Sequence, residues 1–138
     1  MADAIQSAKE HFLTNWALTV EGDAKVRAPF DTGRLSSSIT HDVTIGAEES
    51  SAVVGTNVFY GPCQEFGSKR HMPPSAPIEA WAQRHGIDSA GAEKIRWAIF
   101  AHGTKPHPYL IPAFEEANRS ALPGFLGELE QELETAFS

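Results

Sequence analysis

Cysteine is almost missing: Cys63 is the only one among 138 residues. One thiol excludes an intrachain disulfide and suits a reducing compartment. Long apolar runs are missing too. None approaches the ~18 residues that a membrane-spanning helix needs, so no membrane partner is expected. The opening MADAIQSAKEHF has no basic patch leading into an apolar stretch, so no export signal is expected. Bases are scarce, 11 Lys and Arg against 18 Asp and Glu, for a net charge of −7. Gripping duplex DNA takes a dense Lys/Arg surface that neutralises phosphates, and this chain has none to spare.

What is present fits a folded protein. Hydrophobic residues make up 41% and charged residues 21%, enough for a core and too apolar for disorder. The length fits one domain, residues 1–138, that buries roughly two-thirds of its unfolded surface. The charge is unevenly spread. From Ala113 onward, Glu115, Glu116, Glu128, Glu130, Glu132 and Glu134 face only Arg119. Between Ser68 and Lys105 the bases Lys69, Arg70, Arg84, Lys94, Arg96 and Lys105 outnumber three acids.

Residues 3–27 read as a helix, with Ile5, Ala8, Phe12, Trp16 and Val20 on one stripe. Pro29 ends it, because a proline pushes the preceding residue out of the α region. Arg34–Ile39 reads as a short helical turn. HDVTIG (41–46) and SAVVG (51–55) alternate apolar and polar residues, as a hairpin closed by AEES does. Val58–Phe66 reads as a short helix closed by Gly67. SKRHMPPSAP is a loop by its prolines. A two-helix insert follows, spanning 68–105 with its loops. Its first helix starts at Pro77, and its second is capped by Asp88 or Ser89 and stopped by Gly103. Leu110–Ala121 is expected as a helix, with a fresh helical start at Pro123. Leu122, Phe125, Leu126, Leu129, Leu133 and Phe137 then share an apolar face. The fold class is therefore α+β, a small antiparallel sheet packed with the N- and C-terminal helices.

Chemical motifs are weak. Asp31-Thr32-Gly33 is the triplet of aspartic proteases, whose homodimers share one proton between two carboxylates. Here it follows a helix end instead of an apolar strand, and a bulky Arg34 comes next. Its natural reading is a turn: Asp31 and Thr32 accept backbone N–H bonds, and Gly33 permits a positive φ. The six histidines lack metal-ligand spacing, so no metal is expected. Cys63 is expected to be a small buried thiol. Trp16, Trp81 and Trp97 fall on predicted helices, where a core role is expected. No phosphate-binding loop occurs. No catalytic residue, cofactor or enzyme activity is assigned.

Three blocks carry a family resemblance. The first holds Ala28-Pro29, Thr32-Gly33, Leu35 and Ser38-Ile39. The second holds Tyr60 and Glu65-Phe66-Gly67. The third is Pro108-Tyr109-Leu110-Ile111-Pro112-Ala113, with Tyr109 where Phe is common. Their order and spacing over roughly residues 20–120 resemble the neck and tail-component proteins of long-tailed bacteriophages, the lambdoid siphophages. The resemblance implies a structural virion protein of the head–tail connection. Such proteins form a homo-oligomeric, commonly six-fold ring between the head-closure proteins and the tail tube. Genome DNA passes through without specific binding. Localisation follows: the virion neck, and the host bacterial cytoplasm during assembly. Asp31, Thr32, Gly33 and Leu35 then mark a turn of the fold, while Tyr60, Glu65, Gly67, Pro108, Tyr109, Leu110 and Pro112 hold structure. Glu128, Glu130, Glu132 and Glu134 are candidates for the lumen wall, since acidic walls repel DNA. Lys69, Arg70 and Lys105 are candidates for contact with an acidic neighbour. Three other readings are a tail terminator of the same region, a homodimeric protease using Asp31, and a prophage regulatory binding module.

Overall fold

The longest element is α1, Ala2–Arg27, a 26-residue helix about 39 Å long at 1.5 Å per residue. The computed structural model describes residues 2–138. The fully buried residues of α1 are Ala8, Ala17, Val20 and Ala24; the last three share one seam, and Ala8 lies on another side. The larger members of the predicted stripe, Ile5, Phe12 and Trp16, flank that seam half-buried. Alanine wins the centre because a small side chain lets a neighbouring backbone come close. Farther along the chain, Ala113 and Ala117 are also buried, at helical spacing. As the sequence predicts, α1 stops before Pro29, and Ala28 donates its final N–H to Ala24 (2.9 Å).

The chain folds as two compact units. The first contains the residues up to Val58 together with Pro108–Ser138. In it, α1 leads through a turn to α2, Arg34–Ser38, then to β1, Thr40–Ile45, and β2, Ser50–Gly55. The strands pair antiparallel, with His41 opposite Val54, Val43 opposite Ala52 and Ile45 opposite Ser50. These residues point inward and their neighbours outward, the period-two pattern of a half-covered sheet. A two-stranded hairpin is marginal alone, and α1 packs on both strands. Glu21 of α1 ties the sheet down by accepting from His41 (3.1 Å).

The C-terminal part of this unit differs from expectation. α6, Leu110–Glu116, and α7, Leu122–Phe137, are joined without a break by a π-turn, Ala117–Ala121. Leu122 donates to the carbonyl of Ala117, five residues back. Proline has no N–H, and its ring presses on the carbonyl four residues earlier. One extra residue in the turn makes room for Pro123, so the helix widens instead of restarting. The whole run packs along α1. Trp16 of α1 donates to Asn118 Oδ1 in the π-turn (2.9 Å) and meets Phe114 edge to face at 5.6 Å.

The second unit is Phe59–His107. It holds α3, Gly61–Phe66, α4, Ser75–Arg84, and α5, Ser89–His102. α4 begins at Ser75, slightly before the proline predicted to open it. Asp88 caps α5 by accepting from the Gly91 N–H at 2.8 Å. α4 and α5 pack on each other, with Ala82 and Ala92 fully buried.

Candidate assembly site

The Asp-Thr-Gly triplet forms the turn between α1 and α2. Gly33 adopts φ 83°, ψ 1° and occupies the N-cap position of α2. Its carbonyl accepts from Ser37 (2.9 Å), and Thr32 Oγ1 accepts from the Arg34 N–H (3.4 Å). Asp31 is half-buried and engaged. Ser36 of α2 donates back to the Lys25 carbonyl of α1 (3.0 Å). Leu35 and Ile39 then drop into the core. Ser38 and Thr56 share a 2.5 Å hydroxyl bond that joins the helix end to the strand exit.

Tyr60 opens α3 at its N-cap, and Gly67 closes it at φ 75°. Glu65, on the buried side of α3, is 6% exposed and engaged by a partner. Sequence reasoning treated it as a motif residue and gave no sign of its burial. Just beyond Gly67, Ser68 and Thr104 exchange backbone bonds of 3.1 and 3.2 Å and a hydroxyl bond of 2.7 Å. His107 donates to the Gln64 carbonyl (2.7 Å). This clamp closes the base of the α4–α5 excursion. A Cβ on Gly67 would sit 2.6 Å from the Thr104 carbonyl oxygen, so the close approach needs glycine. The clamp also brings the flanks Lys69 and Lys105 to one short ribbon, with Arg70 next along, and all of these side chains are exposed.

In the third block, Tyr109 is the largest fully buried side chain, 2% exposed, at the N-cap of α6. Leu110 and Pro112 are half-buried and Pro108 is exposed. The four glutamates of α7 do not form one face. At 100° per residue, Glu128 and Glu132 share one side and Glu130 and Glu134 lie nearly opposite. Glu132 pairs with His11 of α1 (3.1 Å). With Glu128 it borders a shallow groove against Ala4 and Ser7, about 600 Å³ in volume. Glu130 and Glu134 are exposed.

Residues 1–67 match the family model HK97-gp10_like, described as Bacteriophage HK97-gp10, putative tail-component. The N-terminal part of this chain is therefore similar to a phage tail-component family. No curated protein and no solved structure matches it. The matched stretch contains α1, the Gly33 turn, the hairpin and α3, and it ends at the residue before the clamp.

Asp31 follows a helix, whereas a protease carries its carboxylate on a loop after an apolar strand; β1 and β2 are the only named strands among the described residues. Those residues also contain no group of three or more metal-ligating side chains. No helix among the described residues is long and apolar enough to cross a membrane. Cys63 is exposed, against expectation. Gly61 and Glu65, one turn apart, take the buried side of α3, which turns residue 63 outward. Trp97 is also exposed on α5, whereas Trp81 is half-buried and stacked on His85 at 4.1 Å.

Proposed function

We propose that this tail component completes the neck end of a siphophage tail and, as a six-fold homo-oligomeric ring, joins it to the head-closure proteins while the genome passes through. The match of residues 1–67 to a tail-component family carries the reading. The third block supports it, because Tyr109 and Ala113 sit in the core against which α1 packs. Acidic α7 lies at or near the lumen, with its Glu128–Glu132 side toward a duplex carrying one charge per ~1.7 Å, while Glu130 and Glu134 lie nearly opposite. Lys69, Arg70 and Lys105 meet an acidic neighbour. Assembly takes place in the host bacterial cytoplasm.

The deciding experiment is electron microscopy of lysates from the parent phage with this gene silenced. DNA-filled heads beside free tails of normal length are expected. Overlong tails would assign the chain to tail termination instead. Intact infectious particles would overturn the reading.

A further inference from the structure

The two compact units carry opposite charge. The first holds fourteen acids against five bases, a net −9, and the second six bases against four acids, a net +2. Each has a helix face with exposed large apolar side chains. On α7, Leu126, Glu130, Glu134 and Phe137 fall on a single stripe, beside the half-buried line of Leu122, Phe125, Leu129 and Leu133. Leu126 is 44% and Phe137 55% exposed. No bond to Glu130 or Glu134 is present among the described residues. On α5, Trp97 and Phe100 are 54% and 50% exposed, and their rings meet edge to face at 5.6 Å. Lys94 lies one turn before Trp97 on the same face. Its neighbour Glu93 is taken up by Arg96 through bonds of 3.0 and 2.9 Å, so Lys94 is the unopposed charge there. At the other end of α5, the clamp sets Lys69 and Lys105 around Gly103.

We propose that the Leu126–Glu130–Glu134–Phe137 stripe of one copy docks on the Lys94–Trp97–Phe100 face of the next copy. The inference rests on the ring reading above and names the acidic neighbour of the basic unit. Charge selects this pairing. Stripe on stripe sets glutamates against glutamates, and α5 on α5 sets lysines against lysines, so only the mixed contact is favourable. A contact between two different faces is heterologous; it repeats from copy to copy and closes into a ring when the rotation allows. The aromatic pair forms the water-free centre with Leu126 and Phe137, as large apolar anchors do in interfaces. The charges at the rim steer and orient the approach. The Glu128–Glu132 side of α7 is left for the lumen.

Sedimentation velocity on the full chain tests the pairing with two variants. One is Glu130→Lys with Glu134→Lys; the other is Lys94→Glu with Lys105→Glu. The native chain is expected to self-associate at low salt. Each variant alone should associate roughly tenfold or more weakly. An equimolar mixture of the two should recover association, because every reversed α7 then finds a reversed α5 and every native face a native one. That recovery also shows that both variants are folded. Native-like association by either variant alone, or a mixture that stays monomeric, overturns the pairing and leaves the ring reading to the lysate micrographs. A native chain that is monomeric at every concentration and salt also overturns it.

Discussion

At Gly33 the backbone sits at φ 83°, a conformation that costs a residue with a Cβ roughly 1–2 kcal/mol. A Cβ there would also lie 3.0 Å from the exposed ring of Phe30, which has room to swing aside. Gly33→Ala is therefore expected to lower unfolding free energy by about 1–2 kcal/mol in a urea titration. Thr32→Ala removes only a long 3.4 Å bond and should cost less than about 1 kcal/mol. Equal losses would mean that the triplet works through its side chains rather than its glycine. The turn was legible because its cause is local: a proline, a small polar pair and a glycine act within a few residues. The Asp88 cap was legible for the same reason. Burial is a different kind of property. Cys63 and Trp97 are residue types usually found inside, yet which side of a helix is covered depends on elements distant in sequence. The same holds for Glu65, buried on the side of α3 that Cys63 faces away from.

Among the elements, the α6–π–α7 run holds the main departure from the sequence reading. Pro123 looks like a helix start, and in an isolated segment it would be one. What overrides it is the packing of the run along α1, which keeps the axis continuous and moves the misfit into one wide turn. That turn carries Asn118, which accepts the indole N–H of Trp16. Asn118→Ala is expected to cost about 1–2 kcal/mol, since it leaves a part-buried donor without its partner. The loss should appear as a lower unfolding midpoint together with a shifted tryptophan emission. An unchanged emission would show that Trp16 is held by Phe114 and the surrounding packing alone. The hairpin was more readable. Its alternation of apolar and polar residues is set by the pleat itself, and its strands lie within one residue of the predicted bounds.

For the whole molecule, segregation of charge matters more than its total. A chain of net −7 reads simply as acidic, but the fold sorts this charge into a strongly acidic unit and a mildly basic one. The sequence hinted at this in the basic run from Ser68 to Lys105. The split of the α7 glutamates into two nearly opposite pairs follows from helical phase alone, whereas the side that α1 borders, where Glu132 pairs with His11, does not. If the Glu128–Glu132 side faces the passage, Glu128→Lys with Glu132→Lys should slow genome ejection by attracting the duplex. Ejection followed by DNA-dye fluorescence should show longer times in particles of normal number. Unaltered kinetics would remove these residues from the lumen wall.

The Ser68–Thr104 clamp has one more consequence. The chain leaves on the excursion at Ser68 and is back beside it at Thr104, with the tail-component match ending at Gly67. The outgoing and returning strands are fixed to each other before α4 begins and after α5 ends. A loop tied at its neck can grow or shrink without pulling on whatever holds its two ends. The excursion is thus a cassette: its helices can be shortened, lengthened or exchanged while the anchoring pair stays in register. A chimera that keeps residues 1–68 and 104–138 and substitutes an unrelated helical hairpin between them has a ready-made seat.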